Sequence, residues 1–341
     1  MTGSISNWTV LFVAALSIGV LLSVFAPAPP AAISGWSGAA SITGEAAPIA
    51  AEAAPVAPVP ALLEQYNRAS ALQESAGDGS VRFYRRALPG GGSLAYFVIM
   101  LGDGADVRVV SADGATPGSD AAGDTIWVGG GQHLATVQEM AAASYAARPG
   151  MALVGATNFG FFGARTSSEG TVVVDGTIHR VNPWRAALCI TADQRAEIGL
   201  FNRAALETRG CRQAVGAGPV FLWKGKIANP AVSAPSGDFI PFNPLGENFA
   251  QLEWRITAYT SDLPKTAVCV GERADGGAFL VLVTSYGVPG LELARNLKAM
   301  GCTDALGADD DTSTQMVWRG APVVQRPPRE VPDALAVYVR E

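Results

Sequence analysis

Histidine is nearly missing from this chain. Two imidazoles, His133 and His179, among 341 residues rule out any centre that needs three or more histidine ligands. Cysteine is sparse as well: Cys189, Cys211, Cys269 and Cys302 show no C-x-x-C spacing, which argues against zinc knuckles and thioredoxin-type redox motifs. No Lys/Arg-rich run occurs and the formal net charge is −6, so the composition speaks against a nucleic-acid partner. The Walker A lysine motif, the G-x-S-x-G elbow and H-E-x-x-H are absent. The triplets Gly90-Gly91-Gly92 and Gly129-Gly130-Gly131 lack dinucleotide-binding context and read as turns. What the chain has in quantity is apolar surface, 49% hydrophobic against 16% charged residues, enough for a large core.

The first such surface is the uncharged run from Trp8 to Ala26, which approaches the length of about 20 residues that crosses a bilayer as a helix. Met1 to Asn7 carries no Lys or Arg, and the small-residue sites after Ala26 and Ala28 are each followed by proline. These features favour an uncleaved N-terminal membrane anchor over a cleaved secretory signal. Either one exports the rest of the chain, to the periplasm or the cell surface. Residues 27–61, rich in Ala and Pro, form a semi-extended linker. The remainder, 62–341, is expected to be one domain.

Within it, alternation and turn residues predict strands at Val81–Leu88, Leu94–Leu101, Val107–Ser111, Val154–Thr157, Thr266–Val270, Phe279–Thr284, Gln315–Trp318 and Ala334–Val339. Hairpins are expected where Asp175-Gly176 joins Val172–Val174 to Thr177–Arg180, and where Lys224-Gly225 follows Val220–Trp223. Helices are predicted at Leu62–Ala76, Thr136–Arg148 and Pro289–Met300, the last stopped by Gly301. The expected fold class is α+β: one mixed or antiparallel sheet with a few packed helices.

Near the end of the chain, Asp309, Asp310 and Asp311 stand together, followed by Thr312, Ser313 and Thr314. Like charges so close need a cation, a basic partner or solvent. The run from Ala305 to Met316 resembles, without a gap, the A-L-N-L-D-G-G-G-S-S-T-M segment of the phosphodiester glycosidase family. It keeps Ala305, Leu306, Asp309, Ser313 and Met316. Asn158-Phe159-Gly160-Phe161-Phe162 is similar to that family's N-G-G-[FY]-F signature, and Gly216-Ala217-Gly218-Pro219 with Lys224-Gly225-Lys226 to its G-G-P hairpin. Pro264-Lys265-Thr266-Ala267-Val268 stands where P-R-T-A-[VI]-G is usual. The chain departs from the pattern at Gly307 (Asn), at Asp310, Asp311 and Thr312 (glycines), at Phe159 (Gly), at Cys269 (Gly) and at Lys265 (Arg). These exchanges reshape the pocket floor and trade a planar fork for a point charge.

The resemblance implies hydrolysis of a sugar bound through its anomeric carbon to a phosphodiester, on envelope or exopolysaccharide glycans. Such cleavage develops oxocarbenium character, which a carboxylate stabilises while cations hold the departing phosphate. By resemblance Asp309 is the catalytic carboxylate, Asn158 orients the sugar, Lys265 clamps the phosphate, and Thr312 and Ser313 donate hydrogen bonds. Glu169 is a second acid candidate and Arg165 a supplementary cation. No cofactor is required. Two other readings stand beside this one: a glycan-binding relic of the same fold, and a metal-dependent phosphodiesterase holding a divalent cation at Asp309, Asp310 and Asp311 through oxygen ligands. Export permits disulfides, and chain order favours Cys189–Cys211 and Cys269–Cys302, with buried thiols as the alternative for the second pair.

Overall fold

The computed structural model describes residues 60–102, 104–111, 118–119, 125–126, 134–145, 150–162, 168–324 and 326–341. The expected anchor or signal, nearly all of the Ala/Pro linker, His133, Arg165 and the Gly129 triplet lie outside these. Among the described residues no helix is long and apolar enough to cross a membrane.

The α+β class is as expected, but the single sheet is not: the strands form three large sheets and one two-stranded ladder. The largest sheet has nine strands, in the order Ala71–Ala76, Val81–Ala87, Ser93–Met100, Ala278–Tyr286, Lys265–Glu272, Asp304–Gly307, Val220–Trp223, Lys226–Asn229 and Phe239–Pro241. Its pairings are antiparallel except the last. The chain splits its strands because fully apolar ones such as Ala278–Tyr286, buried along nearly all its length, need cover on both faces. That cover is a second sheet on one side and the Gly290–Ala299 helix on the other.

The second sheet runs Ala196–Leu200, Ala186–Thr191, Cys211–Gly216, Val172–Val174, Thr177–Arg180. A third contains Ala321–Pro322, Met316–Trp318, Met151–Asn158, Asp333–Arg340 and Ala105–Ser111. Residues of all three meet in the main core, where Phe97, Val268, Leu188 and Leu335 are buried. The sheet topology brings the ends of Met151–Asn158 and Asp304–Gly307 together, because Asp309 N donates to Phe159 O at 2.8 Å.

The expected helix over Leu62–Ala76 is a correction. It ends at Asn67, and Ala71–Ala76 is an edge strand against Val81–Ala87. The helix Gly290–Ala299 agrees closely with its expected span, with Leu293, Leu297 and Met300 buried and Gly301 at φ 90°. Two helices are not anticipated by the sequence, Arg203–Arg209 and Leu252–Thr260. Both disulfides are formed, Cys189–Cys211 with Cα atoms 5.5 Å apart and Cys269–Cys302 at 5.8 Å.

Candidate active site

The strand Met151–Asn158 delivers Asn158 to the base of the acidic turn. Asn158 is wholly buried. Its Oδ1 accepts from Thr266 Oγ1 at 2.7 Å and from Gln315 N at 2.9 Å, while Nδ2 donates to Asp309 O at 2.7 Å. One amide thus ties three strands to the turn that carries Asp309. Asn158 has no surface with which to orient a sugar, so the structure makes it a brace and not a ligand contact.

Asp309 is partly buried, and its carboxylate receives Asp310 N at 3.2 Å. Burial pushes its pKa up to about 7. The Ser313 hydroxyl bonded to it pulls the other way, Asp310 adds to the rise, and Arg255 and Arg329 oppose it. Asp310 is also raised by burial, against Arg255 and Lys265. The site therefore holds two adjacent carboxyls, each more willing than usual to carry a proton.

Ser313 is fully buried, with Arg329 Nη1 donating to its Oγ at 3.3 Å. Its hydroxyl is hydrogen-bonded to Asp309. Thr312 is exposed and, with Asp311, lines a different cavity beside Tyr286 and Arg326. Asp311 takes the left-handed conformation, φ 55°, so one of the positions where the family has glycine keeps a backbone that suits glycine. Asp309, Asp310 and Asp311 do not form a metal-holding group: among the described residues no three such side chains converge.

Lys265 begins a central strand and is 1% exposed. Its Nζ donates to Ser261 O and Leu263 O, each at 2.7 Å. Burial lowers its pKa to about 8, while the charges of Asp310 and Asp262 oppose that. Two of its three N–H groups are committed to backbone, so it stands behind Asp310 and not against a phosphate.

A cation that does line a cleft is Arg255, on the Leu252–Thr260 helix. Its guanidinium carbon lies 3.6 Å from the Phe161 ring centroid and 4.8 Å from that of Trp254. Its Nη1 is buried without a hydrogen-bond partner among the described residues. Burial lowers its pKa, and Asp310, Asp309, Glu169 and Glu247 oppose that in this order. Arg255 lines, with Glu169, Arg185, Asn182 and Trp254, a cleft of about 500 Å³, and the charges of Asp310 and Asp309 act on it from outside that lining. Arg185 is nearly buried, donates to Ala217 O at 2.9 Å and lies 4.4 Å over Phe249. Glu169 is held at its backbone, N to Phe161 O at 2.7 Å and O from Asn182 Nδ2 at 2.8 Å. Glu169 thus shares the cleft with Arg255, Thr312 lines another cavity, and Asn158, Ser313 and Lys265 are buried. Arg165 lies outside the described residues. His179 is buried in its hairpin and does not line the cleft.

The motif around Asn158 has a second use here. Phe161 carries Arg255, and Phe162 carries Arg329, whose guanidinium carbon is 4.9 Å from the Phe162 ring centroid. Gly160, just before them, is dictated by Asp333: a Cβ would stand 2.5 Å from its Oδ2. Asp333, fully buried, accepts Gly160 N at 2.6 Å and the Ser168 hydroxyl. Ser168, next to Glu169, is thus held from the C-terminal strand.

Comparison with known proteins agrees with this architecture. Over residues 151–338 the chain matches the model of the phosphodiester glycosidase family. No curated protein matches it. Among solved structures, it is similar to a hypothetical protein from Synechocystis, with 14% identity, TM-score 0.56 and coverage of 76% of this chain and 62% of that one. This chain therefore spans less than two thirds of that protein's length. It is also similar to the catalytic domain of zebrafish N-acetylglucosamine-1-phosphodiester alpha-N-acetylglucosaminidase, auto-inhibited by its pro-peptide, with 16% identity, TM-score 0.52 and coverage of 80% and 88%. At such identities the structures speak for the fold. The match over more than half its length establishes that the chain belongs to the phosphodiester glycosidase family.

Proposed function

We propose that this chain is an exported hydrolase that cleaves a sugar-1-phosphodiester on a glycan. The observation that carries the reading is Arg255, whose buried Nη1 has no partner among the described residues and whose charge acts on Asp309, its pKa near 7. A sugar placed over Asp309 in its ionised form has the positive charge developing at its anomeric carbon met by a carboxylate. The phosphate leaving toward the cleft meets Arg255, a fork suited to two phosphate oxygens. A departing phosphate needs little protonation, so one carboxylate and one anion clamp supply the main terms. Glu169, lining the same cleft, is the group proposed to activate the water that completes hydrolysis. Asp310 and Lys265 behind it set the local charge.

Export is part of the proposal. It is supported by the apolar run Trp8 to Ala26 and by two disulfides, which persist in oxidising compartments. Membrane attachment through that run, outside the cytoplasm, follows on the same reading.

The test is turnover of N-acetylglucosamine 1-phosphate diesters and other sugar-1-phosphate diesters by the purified protein, with and without EDTA. Release of free sugar and the phosphomonoester is the expected result, insensitive to EDTA and lost in Asp309→Asn. Diester binding without turnover would make the protein a glycan binder, and loss of turnover in EDTA would point to a cation at the acidic turn.

A further inference from the structure

Large exposed apolar side chains are few among the described residues, and two of them are tryptophans: Trp184, 65% exposed, and Trp254, 47% exposed. Both belong to one place. Trp254 lines the cleft that holds Glu169 and Arg255. Trp184 sits between the lining residues Asn182 and Arg185, and its carbonyl accepts the N–H of a third, Asn248, at 2.9 Å. Exposed indoles cost solvation and are retained where something stacks on them.

The backbone beneath Trp184 is fixed in advance of any ligand. Asn182 Oδ1 accepts Trp184 N at 3.2 Å, and Asn182 Nδ2 holds Glu169 O at 2.8 Å. Asn182 N in turn donates to Thr171 Oγ1 at 3.0 Å. A single side chain therefore couples the position of Trp184 to that of the acid in the cleft. Trp254 is similarly held, with the Arg255 guanidinium carbon 4.8 Å from its ring centroid. Beside Trp254 the cleft offers Arg180, Asn182, Asn248 and Gln251, donors and acceptors in place of an apolar wall. A flat apolar surface beside a rim of hydrogen-bonding groups matches a pyranose, which has an apolar C–H face and a girdle of hydroxyls.

We propose that Trp184 and Trp254 form a subsite for sugar units beyond the scissile linkage, so that the substrate is an oligosaccharide or polysaccharide chain and not a small diffusible diester. The proposal rests on the sugar-phosphodiester reading of the same cleft and adds the chain length it selects.

Two measurements keep the two readings apart. The first is calorimetric titration of the wild type and of the Trp184→Ala/Trp254→Ala double variant with cello-, chito-, malto- and mannohexaose and with the corresponding monosaccharides. At least one hexaose is expected to bind at least tenfold more tightly than its monosaccharide, and the double variant is expected to lose that preference. Phe at both positions is expected to restore part of it. Absence of binding to every hexaose, or a preference that survives in the double variant, overturns the subsite. The second measurement compares kcat/KM for an N-acetylglucosamine 1-phosphate diester of one mannose with that for a diester of mannohexaose. The longer substrate is expected to be favoured at least tenfold, through KM, and the ratio to fall toward one in the double variant. A ratio already near one in the wild type overturns the proposal. Turnover of neither diester sinks the hydrolytic reading alone, because the titration judges the subsite without catalysis.

Discussion

The guanidinium of Arg255 lies over Phe161, 3.6 Å from guanidinium carbon to ring centroid. Phe161 comes from a segment that the sequence identifies, and Arg255 from a helix that it does not. The ring gives the cation an apolar floor that makes no demand on its hydrogen-bond donors, and Nη1 has no partner among the described residues.

Arg255→Met should therefore raise KM for a sugar-1-phosphodiester by about ten- to a hundredfold, the range for a lost charged hydrogen bond of roughly 1.5–3 kcal/mol. Binding of the uncharged sugar should change little. Lys265→Met should not show this contrast, since two of its N–H groups already serve Ser261 O and Leu263 O. Equal losses of charged and uncharged ligand in Arg255→Met would remove Arg255 from the anion site.

The acid limb of the pH profile belongs to Asp309. With its pKa near 7, kcat/KM should climb about tenfold per pH unit below that value and level off above it, where the carboxylate is ionised. Asp309→Asn should lower kcat at least about a hundredfold. Arg329→Met withdraws a cation that opposes the rise of Asp309, so it should move the limb to higher pH.

Stability has the opposite dependence on the same group. A carboxyl whose folded pKa lies above its unfolded value of about 4 binds its proton more tightly when folded. Its contribution is fully present below about pH 4, declines as pH rises toward 7 and is constant above. Asp309→Asn removes that decline. The variant should melt higher than wild type at pH 8 and no higher at pH 4, as read by thermal unfolding. A gain of equal size at both values would show that the carboxyl is not the cause.

Gly307 stands where the family has asparagine, and Phe221 fills the space: a Cβ at Gly307 would lie 2.8 Å from Phe221 Cε1. Gly307→Asn should destabilise the fold by about 1–3 kcal/mol, the usual cost of overpacking. Phe221→Leu should recover part of the loss in a double-mutant cycle. Strict additivity of the two changes would separate them.

Export predicts oxidised cysteines and a membrane-bound chain. Protein taken from cells with thiols blocked should show no free Cys189, Cys211, Cys269 or Cys302, and it should remain with membranes after carbonate washing. A soluble form beginning after Ala26 would replace the anchor by a cleaved signal.

How much of this was legible depended on whether a residue's neighbours are local. Asp309 stood out because three adjacent carboxylates are conspicuous, and the hairpin at Asp175-Gly176 because its turn chemistry is local: Asp175 and Gly176 both take positive φ. The Arg203–Arg209 helix carried readable signals, since the Asn202 side chain caps Ala205 N and Gly210 closes it at φ 65°. The Leu252–Thr260 helix carried few: no side chain caps it, and Leu252 and Trp254 leave much of their apolar surface exposed. Arg255 was hidden with it. The burial of Asn158, Ser313 and Lys265 is set by strands far apart in sequence, which no local pattern reports.

Asp333 opens the last strand, which lies between Met151–Asn158 and Ala105–Ser111 in its sheet and not at an edge. The carboxylate that holds Gly160 and Ser168 therefore comes from the last strand of its sheet in chain order. A fragment that stops short of this strand leaves a gap in the middle of the sheet and takes away the partner of Gly160 N and of the Ser168 hydroxyl. The centre of this sheet and the turn at Gly160 thus depend on a strand that follows every other strand of the sheet in chain order, and local pairing among the earlier strands cannot replace it.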